Sequence, residues 1–169
     1  ADGRTASVVA ATHKRLDFGG PNAMQLQSSL ATPEWGGINH ADFSIDGRYA
    51  IFTCEFQGSL VKIDFVDRKV VGYLKLSTGK MPQDVRVSPD GSTFYVADMM
   101  ADGVFVVDGA SFKEIGFVAT GKVTHGLYPR RDGKKLYVTN RGPNQIPGAE
   151  HGMGSGPVLD FDHRKIAVP

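Results

Sequence analysis

Polar residues recur where successive strand-like runs begin. His40 follows Ile38-Asn39, Gln83-Asp84 follows Met81-Pro82, and His125 follows Val123-Thr124. Histidines that return once per repeat could converge on an axis and ligate a divalent metal. Asp84 would then serve as a carboxylate ligand or as the partner that fixes a histidine ring. His151, beside Glu150 in a glycine-rich stretch, could fold over the same rim, so the metal candidates are His40, His125 and His151. The same histidines could instead hydrogen-bond a neighbouring backbone. Trp35, Gln83, Asp84, Arg86 and Arg141 complete the set that could face a ligand from a channel or rim. Arg86 could meet a carboxylate or phosphate, or form an ion pair with Asp42 or Asp84; Trp35 could equally be a packing residue.

Several chemistries lack their residues. The chain has no phosphate loop of the Gly-x-x-x-x-Gly-Lys-Ser/Thr type and no Gly-x-Ser-x-Gly elbow. Gly152-Met153-Gly154-Ser155-Gly156 precedes a strand and reads as a loop. The lone cysteine, Cys54, leaves no intramolecular disulfide and no cysteine metal cluster. A net charge of +1 in 169 residues gives no electrostatic case for nucleic acid. No apolar run approaches the ~20 residues of a membrane-spanning helix.

The elements that would position these residues are set by a repeat. Asp46-Gly47, Asp90-Gly91 and Asp132-Gly133 lie 44 and then 42 residues apart, each between two short apolar strands. Asp-Gly between such strands is a hairpin signal, and glycine is needed because tight hairpin turns require positive φ. A second marker runs in register: Leu60-Val61-Lys62-Ile63-Asp64, Val104-Phe105-Val106-Val107-Asp108 and Pro157-Val158-Leu159-Asp160 each end a strand in aspartate. Each aspartate can accept hydrogen bonds from the amides of the turn that follows. Four short strands in a period of 42 to 44 residues predict propeller blades over 38–79, 80–122 and 123–169. The last carries a loop insertion over 141–155, and 1–37 reads as a partial blade and linker. In that partial blade Ser7 to Leu16 fits a third strand, turn and fourth strand. The fold class is all-β, with antiparallel four-stranded blades.

Leu136-Tyr137-Val138-Thr139-Asn140 contains Tyr-Val-Thr-Asn, and Tyr95-Val96-Ala97-Asp98 and Ile51-Phe52-Thr53-Cys54 are degenerate copies. On these residues the chain resembles the YVTN-repeat, YncE-like β-propellers. The resemblance implies a seven-bladed ring and an extracytoplasmic location: secreted, periplasmic or cell-surface. Similar folds hold d1 haem in nitrite reductase and occur in nitrous oxide reductase and methylamine dehydrogenase. Their cofactor signatures are incomplete here.

About three and a half blades do not comfortably close a ring of four to eight, a strained four-bladed closure being the alternative. Open blade faces would leave large apolar patches in water, and such patches mark interfaces. The expected partner is a second copy of the chain or a complementary propeller half. The expected function is that of a non-catalytic binding or scaffold module. The alternatives are a metal- or cofactor-assisted enzyme with its site on the propeller axis and, by analogy of fold alone, a lactonase-like hydrolase.

Overall fold

The computed structural model describes residues 15–16, 26–28, 30, 37–145, 147–148 and 150–168. Trp35 and residues 7–14 of the expected partial blade lie outside them. Strands β1 (Arg15–Leu16) and β2 (Leu26–Ser28) pair antiparallel. The rest of the strands form three four-stranded antiparallel sheets, each in simple sequential order. The first blade contains β3 (Ile38–Phe43), β4 (Tyr49–Cys54), β5 (Ser59–Asp64) and β6 (Lys69–Lys75). The second contains β7 (Pro82–Val87), β8 (Thr93–Asp98), β9 (Gly103–Asp108) and β10 (Lys113–Ala119). The third contains β11 (Thr124–Pro129), β12 (Lys135–Asn140), β13 (Val158–Asp160) and β14 (Lys165–Val168).

Local chemistry explains the repeat. Gly47, Gly91 and Gly133 all take positive φ, at 68°, 76° and 71°. Asp46 and Asp90 lock their turns by accepting from Ser44 Oγ (2.6 Å) and Ser88 Oγ (2.5 Å). At the same end of each sheet, beside those turns, the strand-ending aspartates accept turn amides. Asp64 takes those of Val66 and Asp67, Asp108 that of Ser111, and Asp160 those of Asp162 and His163. The expected strand at 156–161 is shorter, Val158–Asp160, because the inserted loop reaches Ser155, which bridges to Asn140, before regular pairing resumes.

Between sheets, the first strands β3, β7 and β11 approach one another side by side, with β4 and β8 just behind. The fourth strands lie at the far edge of each sheet. That is a radial arrangement. Side chains alternate across each strand, so a middle blade has two core faces. From β8, Phe94 and Val96 pack with Ile51 and Leu60 of the first blade. Tyr95 and Ala97 pack the other way, with Leu127, Leu136, Val138 and Leu159 of the third. All of β8 is therefore buried, whereas β12 is buried only at alternate residues. Opposite its second-blade neighbour, the first blade buries Ala50, Phe52 and Cys54 with Leu30 against them. Three such sheets in one arc are a partial β-propeller.

Candidate functional site: a bulged inner rim

Each first strand breaks its ladder at the same place. Ile38 pairs with Cys54 and Ala41 with Phe52, so Asn39 and His40 together face Thr53. Gln83 and Asp84 likewise face Ala97, and His125 and Gly126 face Thr139. A bulge of this kind puts two residues opposite one and re-aims their side chains. The threonines hold it in place. Thr53 Oγ1 accepts from the His40 amide at 3.0 Å, and Thr139 Oγ1 accepts from the Gly126 amide at 3.1 Å.

The register corrects one expectation. His40, Gln83 or Asp84, and His125 do not form one row. Asn39, Gln83 and His125 are equivalent, and His40, Asp84 and Gly126 form the next row. The third blade has a glycine where the first has a histidine, so the two histidines enter from different rows.

The carboxylates near this rim are engaged. Asp84 is buried; its Oδ1 accepts from the Val85 amide at 2.9 Å and pairs with Arg86 Nη1 at 2.7 Å. Its Oδ2 crosses to the third blade and accepts from the Leu127 amide at 2.9 Å. Asp42 Oδ2 does the same from first blade to second, accepting from the Val87 amide at 2.8 Å. First strands are sheet edges with unpaired amides, and these two aspartates satisfy one each. Glu55 is a site residue that the sequence did not single out. It begins a 3-10 turn (Glu55–Gln57) after β4. Its Oε1 accepts from Gln83 Nε2 at 2.8 Å and its Oε2 from Asn39 Nδ2 at 3.2 Å.

The basic groups are less occupied. His40 Nδ1 lies 3.2 Å from the Gln83 carbonyl, which can only accept, so that nitrogen carries a proton and Nε2 is left over. Arg86 also donates to the Val85 carbonyl at 2.7 Å and is held in its own strand. Arg141 is exposed, opposite Val123, whose carbonyl accepts the Arg141 amide at 3.0 Å. His125 is half-buried, and its pKa lies below the ordinary imidazole value. Burial is the main cause; the charges of Arg141 and then His40 add to it, against the opposing pull of Asp84 and Glu55.

His151 is exposed, with Nδ1 at 3.0 Å from Asn144 Oδ1 within the inserted loop. Among the described residues no three of His, Cys, Asp and Glu gather as a metal-ligand set, so His40, His125 and His151 do not form one. Among the described residues no helix is long and apolar enough to cross a membrane. Cys54 is fully buried, and burial pushes its thiol up to about 12, far from a nucleophile's range.

No protein-family profile matches the chain. No curated protein matches it either. Among solved structures it is similar to Kuenenia stuttgartiensis hydrazine synthase, at 25% identity and a TM-score of 0.66. The match covers 84% of this chain and 38% of that one, so the chain spans well under half the length of the structure it resembles. The fold shared with that structure and the radial sheets described above agree on a β-propeller segment.

Proposed function

We propose that the chain is a non-catalytic propeller module of the YVTN type that binds through its bulged inner rim and works outside the cytoplasm. The observation that carries this is the bulge repeated in all three blades, which sets Asn39, Gln83 and His125 at equivalent positions of the first strands. Glu55 ties Asn39 and Gln83 together, so part of the rim is pre-organised before any ligand arrives. Nothing in this network resembles an activated nucleophile. The Tyr-Val-Thr-Asn run supports the family, and the family's habit supports the compartment.

We also propose that further blades of the same design cover the third blade, supplied by a second copy or by a complementary half. Tyr137 occupies the place of Ile51 and Tyr95, which are buried between blades, yet it is 41% exposed. Tyr128 and Val168 are exposed too.

Elemental analysis of the purified protein, with calorimetric titration of zinc, tests the first proposal. The expected result is no stoichiometric metal. A tightly held metal lost in both His40→Ala and His125→Ala would overturn the binding-module reading in favour of the metal-assisted enzyme. Mass photometry tests the second proposal: an assembly is expected, and a stable soluble monomer would remove it. The likeness to hydrazine synthase favours one further reading, a propeller segment that is part of an enzyme. Co-purification of a catalytic activity would be its sign.

A further inference from the structure

We propose that Arg141 and His125, with His40 beyond them, form a binding site for a small oxyanion, a carboxylate or a phosphate, at the inner rim of the third blade. This rests on the rim-binding reading above and adds the ligand's charge and place to it.

Every carboxylate that acts on His125 already has partners. Asp84 is taken by two amides and Arg86, and Glu55 by two side-chain amides. Among the described residues, the Arg141 guanidinium and the His125 ring have neither hydrogen-bond nor ion-pair partners, and His40 has only the bond at Nδ1. The donors left over at this rim are thus mainly cationic or able to become so.

Register places them together. Thr124 pairs with Asn140, and the Arg141 amide donates to the Val123 carbonyl at 3.0 Å, so Arg141 lies across the sheet only two residues from His125. Charge on Arg141 and on His40 is felt at His125, which places all three within electrostatic reach. A guanidinium offers a planar fork that suits carboxylate or phosphate oxygens. Arg86, in the first strand β7, is disqualified by its bonds to Asp84 and the Val85 carbonyl. Arg130 pairs with Asp132 beside the Asp-Gly turn, just past the far end of β11 from His125.

The test is a heteronuclear NMR titration of the full chain with sodium phosphate and, separately, sodium acetate, with sodium chloride at matched ionic strength as control. Saturable shifts at His125, Gly126 and Arg141 with phosphate, with acetate, or with both support the site, and the stronger arm identifies the anion class. Arg141→Gln should weaken that binding about tenfold or more, because a charge-assisted hydrogen bond is lost. Arg130→Gln should leave it unchanged. Arg141 is exposed, so its variant keeps the fold, which the dispersion of the same spectra verifies. Shifts that grow linearly and equally with chloride, or that survive Arg141→Gln, would overturn the assignment. Loss of the anion site with an empty metal titration would leave the binding module standing. A metal retained at the rim would remove both.

Discussion

The two interfaces between blades solve one packing problem with opposite choices. Where first and second blades meet, the large group comes from the first blade. The Lys62 ammonium lies 3.8 Å from the centre of the Tyr49 ring and donates to the Gly109 carbonyl at 2.6 Å. Phe112 closes the far side, with its ring centre 6.0 Å from that ammonium. Where second and third blades meet, the equivalent residues are Thr93 for Tyr49, Val106 for Lys62, Phe161 for Gly109 and Arg164 for Phe112. There the large group comes from the later blade: Phe161 packs edge-on to Tyr95 at 5.2 Å. The Phe161 carbonyl, which takes the place of Gly109's, accepts a neutral hydroxyl from Tyr95 at 3.3 Å. The exchange is incomplete, and a cleft of 310 Å³ opens beside Thr93, Tyr95, Phe161 and Arg164. A repeat fixes the backbone of each interface, while the side chains on its two sides trade volume.

The largest expected effect is at Phe161, which is 7% exposed and packs its ring against Tyr95 in that interface. Phe161→Ala should destabilise by about 4 kcal/mol, the cost of emptying an aromatic site in a core. Chemical denaturation would show it. A loss below about 1 kcal/mol would mean that the cleft already relaxes around this ring. Lys62→Ala comes next, at about 3 kcal/mol, because it leaves a buried carbonyl without its donor and uncovers the Tyr49 ring. Lys62→Met should recover most of that loss. Burial already disfavours the ammonium and holds its pKa below the usual lysine value, so a neutral chain of similar length removes that penalty along with the bond.

Third in size is Gly109→Ala. A Cβ there would lie 2.7 Å from Tyr49 Oη, closer than packed atoms tolerate, and a tight 3.0 Å from Phe94 Cε2. The expected loss is about 2 kcal/mol. In a Tyr49→Ala background the nearest contact is gone, and the same change should cost measurably less. A double-mutant cycle reads that coupling. Strict additivity would show that the trade between Tyr49 and Gly109 is not real.

The repeat was legible because its markers are local. Asp46-Gly47, Asp90-Gly91 and Asp132-Gly133 need no tertiary context to make a turn, and Asp64, Asp108 and Asp160 cap their own chains. The rim was legible in kind but not in register. A bulge carries no residue signature of its own, and it shifted His40 into the row of Asp84 instead of that of His125. Glu55 was missed because it lies past the second strand, where neither the repeat nor the strand-entry rule looks. The doublets Asn39-His40 and Gln83-Asp84 were the available signal for the bulge, and the threonines at 53 and 139 its support. Lys62 was also visible, as one charge inside Leu60-Val61-Lys62-Ile63-Asp64. Its role depends on Tyr49 and on Gly109, 47 residues away, so only folding could reveal it.

The smallest effect separates the two interfaces by sign. Both donors titrate in alkali, Lys62 ordinarily at 10.5 and Tyr95 at 10.0. Burial lowers the first pKa and, despite the opposing charge of Arg164, raises the second. Between its lowered value and 10.5, the unfolded chain holds the Lys62 proton more tightly, so stability rises with pH. Above 10.0 the folded chain holds the Tyr95 proton more tightly, so stability falls with pH. Unfolding free energies measured from pH 9 to 11 should therefore diverge in opposite directions for two variants. The gap between wild type and Lys62→Met should widen in favour of wild type as pH rises toward 10.5. The gap between wild type and Tyr95→Phe should shift against wild type above 10.0. Parallel curves would mean that both carbonyls see the same environment, and that the asymmetry of the two interfaces is one of shape alone.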